Sequence, residues 1–123
     1  MTVRARPREC GLDAAMEVIS GKWKVLILWA LHQQHRRFGE LRRHVPGVSE
    51  KVLIQQLREL EADGIVLREM YDEAPLRVEY SLRPRGEALF EALRPLGAWG
   101  RKHLVRVDVP DEIPVEVPVE VQV

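Results

Sequence analysis

Apolar residues recur at helical spacing through the first third of the chain. Leu12, Met16 and Ile19 share one face of a short segment, and residues 21–34 are apolar around most of their circumference. A helix that is apolar nearly all round is buried on several sides. We therefore expect a short first helix and then a central buried helix, with Ser20 as the N-cap of the second.

Two amphipathic segments follow, and a turn separates them. The first predicts a short helix over residues 38–45, which Pro46 and Gly47 end because proline cannot continue the helical hydrogen bonds. The second predicts a longer helix over residues 50–63, with leucines along one face and Ser49 as its N-cap. A short helix, a tight turn and a longer helix are typical of a helix-turn-helix.

The period of the pattern then changes from helical to two. Val78, Tyr80 and Leu82 alternate with polar residues, which predicts a strand with one buried face. Residues 65–71 form a second strand, and residues 72–75 between them have the composition of a turn. A hairpin in this place makes the helix-turn-helix a winged one.

The last helix is expected from Pro84 to about Leu104, because proline suits the first turn of a helix. Pro95 lies inside it and predicts a kink. The fold class is therefore mainly α-helical with a small β-hairpin (α+β), a winged helix-turn-helix with terminal helices available for dimerisation.

The charge is distributed unevenly although the 123-residue chain has a net charge of zero. Residues 106–123 hold five acids and one base, which leaves 18 bases and 14 acids in the rest. We expect three regions: a flexible basic N-terminus (1–9), one winged domain (10–104), and an extended, disordered acidic tail of valine and proline (105–123).

Several protein classes are excluded by what the sequence lacks. It has no apolar run of about 18 residues for a membrane span and no secretory signal. Its single cysteine, Cys10, cannot form an internal disulfide, which indicates the cytoplasm. No catalytic motif is present and the four histidines are scattered, so we expect no enzyme, no metal site and no cofactor.

Basic and polar side chains gather on the elements that would meet DNA. Lysine and arginine bond guanine and glutamine bonds adenine in the major groove, where the second helix of this motif lies. A helix N-terminus with its serine and the surrounding arginines suit phosphates. Basic side chains on a protein surface often do no more than keep a helix hydrated. The prediction of DNA binding therefore rests on the order of the predicted helices and strands. The candidate DNA contacts are Arg37, Arg42, Arg43, Ser49, Lys51, Ile54, Gln55, Arg58, Arg68 and Arg77, and Arg36 extends the same basic run.

Six blocks of sequence occur in a characteristic order: ISGKW, RFGELRR, PGVSEKVL, QQLRELEADG, PLRVEYSL and WG. With this spacing the chain resembles the HxlR-type transcription regulators, winged-helix proteins related to the MarR type. The resemblance covers residues 10–103. The chain departs from the family pattern at Gly11 after Cys10, at Arg83 before Pro84, and at the position of Pro95. The last two departures leave the dimer geometry open.

The resemblance implies a homodimer that reads a roughly palindromic, double-stranded DNA operator. Its interface would use the apolar stripe of the terminal helices, although the same leucines also suit the monomer core, and we expect both on different sides of the helix. The expected interface residues are Leu12, Met16, Leu89, Leu93, Leu96 and Trp99.

The resemblance also makes Cys10 a candidate redox sensor. Arg8 and a helix start would lower the pKa of its thiol, whereas Glu9 and Asp13 act in the opposite sense. The alternative is a small buried apolar residue. An oxidant or a small molecule is thus a candidate effector.

The predicted function is a sequence-specific DNA-binding transcriptional regulator. The alternative is a winged-helix module that binds proteins and no DNA. A protein-binding version should have an apolar outer face on residues 50–63, whereas this one carries Lys51, Gln55 and Arg58 with only Ile54 apolar. The sequence favours DNA.

Overall fold

The computed structural model describes residues 10–104; the predicted N-terminus (1–9) and tail (105–123) lie outside the described residues. The elements, in chain order, are α1 (Gly11–Val18), α2 (Lys24–Gln33), β1 (Arg36–Arg37), α3 (Phe38–Arg43), α4 (Glu50–Ala62), β2 (Val66–Tyr71), β3 (Arg77–Leu82) and α5 (Pro84–His103). The predicted winged helix-turn-helix is confirmed, with α3 and α4 as its two helices and β2–β3 as its wing.

The sheet is antiparallel, with β3 in the middle and the order β1-β3-β2. The hairpin register joins Val66 to Leu82 and Tyr71 to Arg77. The sequence did not predict β1, because a two-residue strand is too short to show an alternating pattern. It pairs with β3 and leads directly into α3, so it ties the helix-turn-helix to the wing.

The core lies between α2, the leucine face of α4 and the inner face of the sheet. The central position predicted for α2 is confirmed, because most of its apolar residues are fully buried. Phe90 brings the first half of α5 against the same core. The most deeply buried apolar residues are Ile27, Leu28, Ala30, Leu41, Val45, Leu53, Leu57, Leu60 and Val66.

Ser20 does not cap the central helix, so this part of the sequence prediction was wrong. Its hydroxyl donates to the carbonyl of Glu17 at 3.1 Å and so completes the end of α1. Gly21 then takes a positive φ of 98°, which breaks the helical path, and α2 begins only at Lys24. The last helix runs through Pro95 as a single element.

Candidate DNA-binding surface

The residues at its two ends fix where helix α4 begins and ends. Ser49 accepts a hydrogen bond at Oγ from the amide of Val52 at 3.1 Å, so the predicted N-cap is confirmed. Gly47 and Gly64 adopt positive φ in the turns before and after the helix. Leucines 53, 57 and 60 are buried, so α4 must present its opposite face to solvent.

That opposite face brings together four of the residues predicted to contact DNA. They line one open depression of about 700 Å³, and Glu50 completes it. Lys51, Gln55 and Arg58 are exposed, whereas Ile54 is half-buried. A surface with cationic, amide and apolar groups side by side matches the mixture of groups that base edges display in the major groove. The four predicted residues are Lys51, Ile54, Gln55 and Arg58.

A groove of about 620 Å³ separates α4 from the wing. Its floor is apolar and includes Leu57, Val78 and Tyr80, while Arg58 and Arg68 lie along it. Arg68 is exposed on β2, so its guanidinium is available beside the outer face of α4, the recognition face, which is formed by Glu50, Lys51, Ile54, Gln55 and Arg58. The sequence did not single out Val78 and Tyr80 for this groove, because their alternation indicated only the buried face of a strand.

Exposed arginines lie on and just before α3. Arg37 precedes its first turn, and Arg42 and Arg43 form its last turn. Arg42 Nη1 lies 4.0 Å from Glu50 Oε1, which places it beside the first turn of α4. Both side chains are about half exposed, so this ion pair contributes little to stability and leaves Arg42 able to meet a phosphate.

Arg36 does not belong to this surface, and the expectation that it extends the basic run was wrong. Its side chain is buried, where Nε donates to the carbonyl of Ala30 and Nη2 donates to Gln33 Oε1, each at 2.8 Å. Burial lowers the pKa of Arg36 from its ordinary value. The residue therefore closes the C-terminal end of α2.

Arg77 reaches the wing as predicted, but carboxylates surround its guanidinium. It donates to Glu73 Oε2 at 2.7 Å and to Glu79 Oε2, and it lies over the ring of Tyr71. The hydrogen bond with Glu73 raises the pKa of Arg77 and lowers that of Glu73. This pairing offsets the charge of Arg77, so Arg68 is the wing arginine better placed for a phosphate.

Cys10 is exposed at the N-cap of α1. The backbone amides of Asp13 and Leu12 in the first turn of α1 lower the pKa of its thiol, because they favour the thiolate. Because Cys10 is exposed, the alternative that it is a small buried apolar residue is wrong.

The predicted dimer residues fall into two groups. Leu89 and Leu93 are partly buried against the core of the same chain. Leu96 and Trp99 on α5 are each 53% exposed, and Leu12 and Met16 on α1 are exposed too. Large exposed apolar side chains on terminal helices are typical of an interaction surface.

Among residues 10–104, no three or more His, Cys, Asp or Glu side chains are arranged to hold a metal ion. Nor is any helix in that range long and apolar enough to cross a membrane.

Residues 18–108 match the model of the HxlR-like helix-turn-helix family. The chain belongs to this family. A relative, the uncharacterized HTH-type transcriptional regulator YkvN of Bacillus subtilis, is 48% identical over 91 residues, which are 74% of this chain and 77% of YkvN. YkvN and a further relative, YtcD of Bacillus subtilis, are both named HTH-type transcriptional regulators.

Solved structures agree with the winged-helix fold. A MarR-family regulator from Enterococcus faecalis V583 has a TM-score of 0.72 and 42% identity, covering 79% of this chain and 88% of its own. The redox regulator HypR in its reduced form has a TM-score of 0.71 and 40% identity, covering 76% of this chain and 92% of its own. HypR was also solved in an oxidised form.

Proposed function

We propose that this HxlR-family regulator is a cytoplasmic homodimer that inserts α4 of each protomer into the major groove of a roughly palindromic operator. The observation that carries the proposal is the convergence of Lys51, Gln55 and Arg58 on the free face of α4. The leucines on the other face are locked into the core, so this face is presented on a rigid support.

The side chains on this surface divide into two kinds of contact. Lys51 and Arg58 suit guanine O6 and N7, and Gln55 suits adenine N6 and N7. Arg37, Arg42 and Arg43, together with the N-terminus of α4 at Ser49, suit phosphates, which fix the position of the helix but carry no sequence information. Arg68 extends the phosphate contacts to the wing.

Lys51→Ala and Gln55→Ala should each weaken specific operator binding by about 1–3 kcal/mol per half-site, the value of one good base contact, because each protomer of the dimer loses one such contact. Both side chains are exposed, so the melting temperature should stay unchanged. Arg42→Ala should instead reduce the salt dependence of binding by the equivalent of about one phosphate contact per half-site. The operator can be selected from random duplexes and each variant titrated by fluorescence anisotropy.

Lys102→Ala is the matched control, since it removes an exposed charge near the end of α5, away from the proposed contacts. It should bind the operator like wild type. Wild-type binding by all three test variants would contradict this mode of docking.

The exposed apolar residues of α1 and α5 are the proposed dimer interface. Leu96→Glu should convert the dimer into a monomer, because a carboxylate would have to be buried without a partner. Light scattering after size exclusion measures the mass. Met70→Glu is the control, since Met70 is 55% exposed but lies on the wing. A wild type that is monomeric at all concentrations, or two variants of equal mass, would overturn the interface.

A response to oxidants is a second candidate function, supported by the exposed Cys10 thiol of lowered pKa and by the similarity to HypR. Diamide accepts two electrons and two protons from two thiols, which become a disulfide between two Cys10 side chains. We expect diamide to weaken operator binding of wild type, reversibly with dithiothreitol, but not of Cys10→Ser. Equal losses in both proteins would exclude Cys10 as the sensor.

A further inference from the structure

Ile54 is an apolar residue at the centre of the recognition face. Its neighbours on that face are Glu50 and Arg58, one turn away on either side, and Lys51 and Gln55 beside it. All four neighbours are exposed and polar or charged, whereas Ile54 is half-buried. An apolar group encircled in this way is unusual on a surface that otherwise offers hydrogen bonds and charge.

Packing of the monomer does not fully explain this isoleucine. Ile54 borders both the groove against the wing, beside Val78 and Tyr80, and the open depression on the outer face of α4. The side chain therefore borders open space both towards the wing and on the outer face of α4. The core is filled by Leu53 and Leu57, so the outer flank of Ile54 remains available for a partner.

Base edges in the major groove display a single apolar group, the C5-methyl group of thymine. We infer that Ile54 recognises a thymine methyl group in each half-site, so that the operator has an A·T pair at the position facing Ile54. This inference rests on the proposed function, since it specifies what the same face reads. Lys51 and Gln55 would then read neighbouring base pairs by hydrogen bonding.

The same contact would discriminate against a cytosine at that position. Cytosine carries hydrogen at C5 where thymine carries the methyl group. An operator with cytosine at this position would therefore lose the apolar contact with Ile54. The contact would favour an A·T pair over a G·C pair at this position.

Deoxyuridine provides the test, because it lacks only the methyl group and keeps every hydrogen-bonding atom of thymine. Each thymine of the selected operator is replaced in turn, and affinity is measured for wild type and for Ile54→Ala. At one thymine per half-site, wild type should bind about fourfold more weakly, the effect of losing one buried methyl group. Ile54→Ala should bind the thymine and uracil operators equally at that position.

Two further variants distinguish a direct contact from an indirect effect. Gln55 is adjacent to Ile54, and Gln55→Ala should still bind the uracil operator about fourfold more weakly than the thymine operator. Ile54→Val should show part of this difference, because an apolar contact remains. The inference is overturned if no thymine shows the loss in wild type, or if Ile54→Ala shows the same loss. If either result is found while wild type still binds the operator specifically, only the inference about Ile54 fails and the proposed function stands. If wild type binds no duplex specifically, the inference and the proposed function both fail.

Discussion

Glu59→Ala should lower the free energy of unfolding by about 3–5 kcal/mol, the cost of removing one partner of a buried ion pair. Lys24 Nζ lies 2.5 Å from Glu59 Oε1, and its side chain is only 2% exposed while that of Glu59 is 24% exposed. The loss of Glu59 therefore leaves an ammonium group with little access to water behind the recognition helix. Urea unfolding at neutral pH measures the change.

The ion pair is asymmetric, which sharpens this prediction. Lys24→Met should cost less than Glu59→Ala, because the remaining Glu59 carboxylate can be hydrated and methionine fills the buried space. Glu61→Ala is the control on the same helix, since its carboxylate borders the groove beside the wing and its loss should cost about 0.5 kcal/mol or less. A loss for Glu59→Ala no larger than that of Glu61→Ala would refute the assigned role.

Gly86→Ala should destabilise the domain by about 1–3 kcal/mol or more, because an added methyl group has no room. A Cβ atom at Gly86 would lie 2.4 Å from the carbonyl oxygen of Ile65 and 3.2 Å from Leu82 Cδ2. The carbonyl is held by the amide of Arg83 at 2.9 Å, so it cannot easily move aside. Helix α5 would have to shift away from the sheet.

Thermal unfolding should report this as a melting temperature lower by about 4–8 °C for each kcal/mol lost. Gly39→Ala in α3 is the control, because the nearest atom to its added Cβ would be Arg43 Nη1 at 4.0 Å. That variant should be neutral or slightly stabilised. Equal melting temperatures for the two variants would show that α5 does not pack this tightly.

The recognition helix could be predicted from the sequence because its signals are local. The leucine spacing of residues 53–60 sets the buried face, and Ser49 and Gly64 set the ends, so the outer face followed by subtraction. The structure agrees with the predicted outer face, because Lys51, Gln55 and Arg58 are exposed. Their contacts with DNA remain predictions.

The errors arose where tertiary contacts decide the role of a residue. Arg36 and Arg37 are adjacent arginines, yet the pairing of β1 with β3 turns one into the core and leaves the other exposed. The contact of Arg77 with DNA stays a prediction, but its guanidinium is paired with Glu79, two residues further along the same strand, and with Glu73 in the preceding turn. The ion pair of Lys24 with Glu59 spans 35 positions. Its one sequence signal was a lysine within an otherwise apolar helix.

The binding of two recognition helices to two half-sites is tested most directly by a gel shift. Wild type is titrated against the selected operator and against a single half-site, at about 50 and 200 mM salt with competitor DNA. We predict a specific shift, tighter on the full operator and steeply weakened by salt. The absence of a shift on any duplex at the lower salt concentration would contradict the account and favour a winged helix that binds proteins.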